Sequence, residues 1–276
     1  MRLRSLLFVP GDRPERFAKA AASGADAVIL DLEDSVATAA KPAAREAVAR
    51  WLREPAAVTR FVRVNPLGTA GLADDLAAAK GADGVMLPKA ECAADVASLV
   101  DAMGASAMPV LPVATETPLA VFGLGGYRAV ADRLAGLTWG AEDLPAAIGA
   151  VTAREAGGGY TPPYEVVRTL ALMGAHAAGV AAIETVYPAI RDIDGLVAYA
   201  ARGARDGFTG MMAIHPAQVA AINAAFSPDA AAVAQAERIV AAFAAHPGAG
   251  ALQLDGRMID APHLKQAQAI LARAAG

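Results

Sequence analysis

The sequence predicts an α/β fold, a (β/α)8 TIM barrel followed by a C-terminal helical extension. Eight short apolar runs alternate with helical patterns along the chain, at a spacing of about 25–35 residues. Such alternation is typical of parallel strands joined by helices, and eight of these units close a barrel. No G-x-G-x-x-G motif follows the first apolar run, so an open doubly wound sheet is the less favoured alternative.

The predicted strands are short, and turn residues mark their ends. In chain order they cover residues 5–10, 26–34, 60–65, 84–89, 108–117, 136–143, 181–187 and 210–216. Helices are predicted after Arg13-Pro14-Glu15 and over residues 41–53, 70–80, 92–103, 163–178, 192–206 and 229–245, with a final helix after residue 263. A Pro/Gly break at His246-Pro247-Gly248 interrupts the tail. We therefore predict a barrel domain over residues 1–228 and a helical extension with a lid over residues 229–276.

Composition excludes several classes of protein. The net charge is -4 and no Lys/Arg cluster exceeds two or three residues, which argues against nucleic-acid binding. The single cysteine, Cys92, excludes an intramolecular disulfide and fits a reducing cytoplasm. The apolar run before Asp12 is too short for a signal peptide and no run is long enough to span a membrane, so we expect a cytoplasmic protein. The G-x-S-x-G, P-loop and H-E-x-x-H motifs are absent, which excludes the corresponding hydrolases.

Two acidic segments form the centre of the predicted site. The segment G-L-T-W-G-A-E-D ends on Asp143, and A-T-E-T-P carries Glu116 at the end of the preceding strand. Strand ends of a barrel converge on one mouth, and strand alternation would put an alanine beneath each carboxylate, leaving room for a hydrated ion. Two carboxylates without a nearby histidine favour Mg2+, with Mn2+ as the alternative. The competing interpretation is that Glu142 and Asp143 only cap the next helix.

Other strand ends also carry functional side chains. Arg63 lies among apolar neighbours in R-F-V-R-V-N, so it must find an anion, either a nearby carboxylate or a substrate, and we favour the substrate. Glu33 and Asp34 would accept hydrogen bonds from the waters that magnesium retains. Lys89 ends the fourth strand, and His215 ends the eighth, where it either serves the site or orients a loop.

Eight motifs then occur in order: L-F-V-P-G-D-R-P-E-R-F, D-L-E-D-S-V, V-R-V-N, L-P-K, E-T-P, W-G-A-E-D-L, A-I-H-P-A-Q and D-G-R-M-I-D-A-P-H. From residue 5 to about residue 270, the chain resembles the beta subunit of citrate lyase and its stand-alone relatives, the malyl-CoA and citramalyl-CoA lyases, of the HpcH/HpaI aldolase and citrate lyase superfamily. The resemblance implies a Mg2+-dependent carbon–carbon lyase. Its substrate would be citramalyl-CoA, malyl-CoA or a citryl thioester, cleaved to acetyl-CoA or an acetyl thioester and a 2-oxo acid.

The resemblance also implies roles for particular residues. Glu116 and Asp143 are implied as metal ligands, with Glu116 also near the substrate, and Arg63 as the contact to the substrate carbonyl. Arg13 and Lys19 are similar to the residues that meet the phosphates of coenzyme A.

Asp260 matches the family's acid/base, which the C-terminal lid of a neighbouring subunit carries, and this implies a homotrimer or hexamer. Three alternatives remain open. The first is a class II aldolase that acts on a free 2-keto-3-deoxy sugar acid, and the second is a malyl-CoA thioesterase. The third is a subunit of a citrate lyase complex that needs an acyl-carrier partner.

Overall fold

The structure, a computed structural model, describes residues 1–275, which form two compact units. The first consists mainly of residues 3–223, and the second mainly of residues 224–275. The predicted domain boundary at residue 228 stays a prediction.

Eight parallel strands form the sheet of the first unit, with the order β5-β4-β3-β2-β1-β8-β7-β6. These strands are β1 (Ser5–Pro10), β2 (Ala27–Asp31), β3 (Thr59–Arg63), β4 (Gly84–Leu87), β5 (Val110–Pro112), β6 (Gly136–Thr138), β7 (Ala181–Glu184) and β8 (Gly210–Ala213). Parallel bridges join Val110 to Leu134 and Val113 to Thr138, between the two edge strands. The sheet is therefore nearly closed, and the predicted (β/α)8 barrel is confirmed.

Helices connect the strands. They are α1 (Phe17–Ala21), α2 (Lys41–Leu52), α3 (Leu72–Ala78), α4 (Ala93–Met103), α5 (Pro118–Gly123), α6 (Leu144–Ile148), α7 (Pro162–Ala178), α8 (Ile193–Asp206) and α9 (Pro216–Ala225). Short 3-10 helices cover Pro14–Arg16, Thr38–Ala40, Gly104–Ser106 and Leu124–Arg133. No bounds were predicted for α5, α6 or α9, although the capping interpretation of Glu142 and Asp143 expected a helix directly after them. No helix of residues 1–275 has the length and apolarity that a membrane span requires.

Large apolar side chains fill the barrel interior. Neighbouring strands contribute Leu6, Ile29, Phe61, Met86 and Met212 to a single buried cluster. Successive side chains of a strand point to opposite faces, so every second residue enters this core. The packed interior leaves charged groups to the strand ends and the loops beyond them, where the candidate site lies.

Strands β5 and β6 are shorter than predicted, so Glu116 and Asp143 lie in the loops that follow them. The prediction that strand alternation puts an alanine beneath each carboxylate is therefore wrong. A side-chain hydrogen bond replaces the sheet ladder here, because the N–H of Gly140 donates to Oγ1 of Thr115 at 3.0 Å. Bonds of this kind compete with sheet pairing and turn the chain into a loop.

The second unit contains two helices and a hairpin: α10 (Ala230–Ala245), β9 (Ala251–Leu254), β10 (Arg257–Asp260) and α11 (Ala261–Ala275). Asp229 caps α10 by accepting a hydrogen bond of 2.7 Å from the N–H of Ala232. Asp255 and Gly256 turn the hairpin with positive φ angles, which suit a tight two-residue turn. The side chain of Arg238 in α10 pairs with Asp255. The sequence predicted the final helix but not this hairpin.

Candidate active site

A cavity of about 380 Å3 lies beyond the carboxyl ends of the barrel strands. Its polar lining includes Asp31, Asp34, Arg63, Glu116, Glu142 and Asp143. Its apolar lining includes Phe8, Val113, Val186, Met212 and Ile214. The structure thus brings together most of the strand-end residues that the sequence singled out, beside an apolar wall.

Arg63, the last residue of β3, is held by the carboxylates of the neighbouring strand end. Its Nε and Nη2 donate to the two carboxylate oxygens of Asp31 at 2.7 and 2.6 Å, and its Nη1 lies 3.0 Å from an oxygen of Glu33. The guanidinium also lies 5.0 Å from the centre of the Phe8 ring. Arg63 was predicted to meet either a nearby carboxylate or a substrate, and in the structure it meets the carboxylates of Asp31 and Glu33. The side chain remains 15% exposed and lines the cavity.

This ion pair sets the ionisation of Asp31. Burial opposes a charged carboxyl, but the hydrogen bonds from Arg63 outweigh it and hold the pKa of Asp31 below its usual range. The backbone N–H groups of Glu33 and Ser35 also donate to Asp31, at 2.9 and 3.2 Å. Asp31 is therefore a charged anchor that fixes both Arg63 and the loop after β2.

Glu116 is buried beside a gap that a glycine leaves. A Cβ atom at Gly140 would lie 2.8 Å from Cγ of Glu116, so a larger residue would displace this side chain. Burial raises the pKa of Glu116 to about 8; the hydrogen bond from the N–H of Lys89 opposes the shift, and the negative charge of Asp143 adds to it. A cation between the two carboxylates would relieve this cost.

Asp143 occupies the cap position of α6, but its side chain makes no capping hydrogen bond. Its nearest cation is Nζ of Lys89, at 3.7 Å from Oδ1. The neighbouring Glu142 is more exposed and lies 3.8 Å from Arg154. Asp143 therefore has the position that the capping interpretation expected, but it lacks the side-chain hydrogen bond that defines a helix cap.

Lys89 is the central residue of the site to which the sequence assigned no role. Its Nζ donates to Glu33 at 2.7 Å and lies 3.8 Å from Asp34, in addition to its contact with Asp143. Glu33 is buried between Lys89 and Arg63, whereas the side chain of Asp34 is 61% exposed. Lys89 belongs to the motif L-P-K, but the motif does not reveal which carboxylates the lysine contacts in the folded protein.

The donor set of the cavity fits a hard divalent cation. No group of three or more His, Cys, Asp or Glu side chains within residues 1–275 is arranged to hold a metal. Glu116 and Asp143 would supply two oxygen ligands, since both line the cavity and the side chain of Asp143 makes no capping hydrogen bond. Such a set suits Mg2+, which keeps several waters rather than an all-protein cage.

A second cavity of about 410 Å3 is lined by residues of β1, α1 and the loop after β8, including Arg16, Lys19 and His215. Lys19 was predicted to meet coenzyme A phosphates, and Arg16 is a further cation that the sequence reading missed. Arg13 does not line this cavity, and its Nε lies 3.8 Å from Asp12. His215 accepts a hydrogen bond from the N–H of Ala217 at 3.2 Å, so it orients its own loop.

Asp260 belongs to the second unit and ends the hairpin strand β10. Its Oδ1 lies 2.5 Å from Nδ1 of His263, on the first turn of α11. No role was predicted for His263.

These features define an enzyme of the (β/α)8 barrel class, with its charged groups at the carboxyl ends of the strands. Residues 4–216 match the HpcH/HpaI aldolase/citrate lyase family. The match covers most of the chain, which therefore belongs to this family and is a lyase.

Several curated relatives span nearly the whole chain. The citrate lyase subunit beta-like protein of Mycobacterium tuberculosis is 42% identical over 270 residues, 97% of this chain and 94% of the relative. The (3S)-malyl-CoA thioesterase of Cereibacter sphaeroides is 35% identical over 281 residues, with coverage of 98% and 94%. The L-malyl-CoA/beta-methylmalyl-CoA lyase of Rhodobacter capsulatus is 32% identical over 300 residues, also with coverage of 98% and 94%.

A crystal structure extends this comparison to ligands. The protein CitE from Mycobacterium tuberculosis, in complex with magnesium, acetoacetate and coenzyme A, superimposes with a TM-score of 0.86 at 39% identity, covering 100% of this chain and 99% of that one.

Proposed function

We propose that this protein is a Mg2+-dependent carbon–carbon lyase that cleaves a 3-hydroxy-3-carboxyl acyl-CoA thioester to acetyl-CoA and a 2-oxo acid. Citramalyl-CoA, malyl-CoA and a citryl thioester are the substrates considered. The observation that carries the proposal is one cavity lined by two carboxylates, Glu116 and Asp143, and by the guanidinium of Arg63. Family membership and the magnesium and coenzyme A in the CitE crystal structure support it.

Glu116 and Asp143 are the residues that would hold the metal. When bound, Mg2+ supplies a Lewis acid that stabilises negative charge on substrate oxygens. The ammonium group of Lys89 lies 2.7 Å from Glu33 and 3.7 Å from Asp143, and its charge offsets the repulsion between these carboxylates. Asp34, which lines the cavity, would accept hydrogen bonds from metal-bound waters, whereas the buried Glu33 would act through its contacts with Arg63 and Lys89.

Arg63 is the proposed oxyanion donor. Its bonds to Asp31 and Glu33 leave N–H groups on the terminal nitrogens free for a substrate oxygen. Cleavage of the carbon–carbon bond leaves an enolate on the thioester fragment, and a fixed guanidinium stabilises its oxygen without reorganising. The ion pair with Asp31 therefore fixes the orientation of Arg63 without using all of its N–H donors.

As the carbon–carbon bond breaks, the substrate hydroxyl loses a proton and the enolate carbon gains one. We assign this acid/base role to Asp260 on the lid of a neighbouring subunit, in a trimer or hexamer; its carboxylate accepts the hydroxyl proton and then donates it to the enolate carbon. We assign three cations to the coenzyme A phosphates. Two of them, Lys19 and Arg16, line the second cavity, and the third, Arg13, lies on the exposed loop after β1.

A thioesterase is the second candidate function, because one relative that covers nearly the whole chain is named a (3S)-malyl-CoA thioesterase. In that reaction water attacks the thioester carbonyl, and the carbon–carbon bond stays intact. The same cavity would serve this reaction.

An assay of both products on each substrate separates them. Purified protein with Mg2+ is incubated with malyl-CoA, citramalyl-CoA and citryl-CoA, and 2-oxo acid and free coenzyme A are measured in parallel. A lyase releases a 2-oxo acid with acetyl-CoA, and a thioesterase releases free coenzyme A with the intact hydroxy acid. Release of neither product from any of the three substrates would contradict the proposed function.

A further inference from the structure

A fully buried ion pair lies behind the cavity, between β7 and the helices α7 and α8. The carboxylate of Glu184, the last residue of β7, accepts a hydrogen bond of 2.7 Å from Nε of Arg168. Nη1 of Arg168 donates to Asp206 at 2.8 Å, and its guanidinium lies 4.8 Å from the centre of the Phe208 ring. None of these residues lines the cavity described above. The barrel thus buries a charged network outside its catalytic mouth.

One side chain connects this network to the metal-binding loop. Nε1 of the buried Trp139 donates to Oε1 of Glu184 at 2.5 Å. Trp139 directly precedes Gly140, whose missing Cβ accommodates Glu116, and it lies four positions before Asp143. The same oxygen of Glu184 accepts from the N–H of Thr185, a cavity residue, at 3.0 Å. Glu184 therefore fixes two chain segments that border the cavity.

The indole of Trp139 also packs against an aromatic side chain. The ring of Tyr160 meets Trp139 edge to face, with 5.1 Å between ring centres. Tyr160 accepts a hydrogen bond of 2.9 Å from Arg154, which in turn lies 3.8 Å from Glu142 of the same loop. The loop from residue 139 to residue 143 is thus anchored by the hydrogen bond of Trp139 and by its aromatic contact.

A buried charged network of this kind is expected to contribute little to the stability of the fold. Taking Glu184 and Arg168 out of water costs free energy that their attraction only partly returns, and apolar residues of similar size are often as stable at such positions. Directional hydrogen bonds do what apolar packing does not: they fix the orientation of the indole and of the main chain attached to it. A positioning role accounts for the retained charges.

We propose that Trp139, Glu184 and Arg168 are positioning residues that hold the loop bearing Asp143 against Glu116 and thereby set the affinity of the metal site. The inference rests on the metal ligands of the proposed function. It adds residues that touch neither metal nor substrate.

Calorimetric titration of metal-depleted protein with Mg2+ tests the inference. Trp139→Phe keeps most of the ring bulk but removes the N–H donor, and we expect the Kd for Mg2+ to rise about tenfold, the scale typical of residues that orient metal ligands. Arg168→Lys keeps a cation but loses the fork that spans Glu184 and Asp206, so a rise of about three- to tenfold is expected. Should Trp139→Phe not fold, Arg168→Lys alone decides.

A stability-matched control separates positioning from general loosening. Val48 is buried in α2, away from the network, and Val48→Ala creates a small cavity that lowers the melting temperature. We expect Val48→Ala to leave the Kd for Mg2+ unchanged. Equal affinity loss in Val48→Ala and Trp139→Phe at equal loss of melting temperature would overturn the positioning role, as would wild-type affinity in both network variants. A wild-type protein that binds no Mg2+ would instead refute the proposed metal site itself.

Discussion

The backbone N–H of Lys89 donates a hydrogen bond to Oε2 of Glu116, and Lys89 adopts a left-handed φ of 53° to do so. A residue with a Cβ rarely adopts this conformation, which costs about 1–2 kcal/mol. The same turn sends the ammonium group of Lys89 towards Glu33 and Asp143. One strained residue therefore organises both proposed ligands, the first through its main chain and the second through its side chain.

The strain predicts an unusual order of stability at residue 89. Lys89→Gly and Lys89→Ala both lose the ammonium group, so their difference isolates the backbone. We expect the glycine variant to be more stable by about 0.5–1 kcal/mol. This is the free-energy cost of the left-handed conformation for alanine minus the cost of the greater chain entropy that glycine has in the unfolded state. Urea unfolding measures this difference. At Lys80, where φ is not positive, we expect the alanine variant to be more stable than the glycine variant. A glycine variant that is the more stable one at both positions would contradict the interpretation.

Removal of either proposed ligand should weaken metal binding while the fold survives. Glu116→Gln and Asp143→Asn each take one charge from a site that depends on two, so we expect calorimetry to show at least a tenfold rise in the Kd for Mg2+ in each variant. Glu46→Gln is the matched control, because it removes the same charge from an exposed position of α2 that does not line the cavity. Metal affinity that is unchanged in both ligand variants would refute the assignment.

Arg63→Lys should slow turnover more than it weakens folding. Lysine keeps the charge but not the planar fork that bonds Asp31 and still presents N–H groups to the cavity. A loss of about 2–4 kcal/mol in transition-state stabilisation is the scale for an oxyanion donor, measured as a lower kcat. Arg60→Lys, on the same strand, serves as the control. A near-normal kcat for Arg63→Lys would make Arg63 a structural residue.

The pair of Asp31 and Arg63 also predicts a pH dependence of stability. Because the native pKa of Asp31 is lowered, the unfolded chain takes up this proton first as pH falls. The stabilisation is fully present above the usual aspartate pKa of about 3.9 and is lost as pH falls below it, towards the native pKa. Urea unfolding of wild type and Asp31→Asn from pH 6 to about pH 2.5 measures this. The stability gap between them should narrow below about pH 4, and a constant gap would contradict the prediction.

Much of the fold and the site could be predicted from the sequence, because both depend on patterns that repeat along the chain. The barrel follows from apolar runs at a regular spacing, and the parallel direction of its strands brings Glu116, Asp143 and Arg63 to one mouth. The ends of β5 and β6 were not predictable, since the bond between Thr115 and Gly140 joins loops far apart in sequence.

The partners of individual side chains were also out of reach. The left-handed backbone of Lys89 has no local signal, because only the tertiary contact with Glu116 offsets its cost. The bond from Trp139 to Glu184 joins residues 45 positions apart, the first directly after β6 and the second at the end of β7. Such contacts follow from three-dimensional packing rather than from periodicity.

The final prediction is that Asp260 acts on the active site of a neighbouring subunit. Asp260 lies at the end of a hairpin in the second unit, well after the last barrel strand in sequence, and its exposed partner His263 belongs to the same segment. Such a segment serves either its own barrel or another, and the two arrangements differ in a mixing experiment. Asp260→Ala and Glu116→Gln chains, each inactive alone, are mixed under conditions that allow subunits to exchange.

If lids are shared, some sites of a mixed oligomer combine an intact Glu116 from one chain with an intact Asp260 from the other, and activity returns. If each lid serves its own barrel, every site keeps one defect and no mixture recovers. Asp255→Ala, in the turn of the same hairpin, is the control for damage to the lid and should stay active alone. A flat activity curve across all mixing ratios, with exchange verified by mass-tagged subunits, would therefore rule out a shared lid.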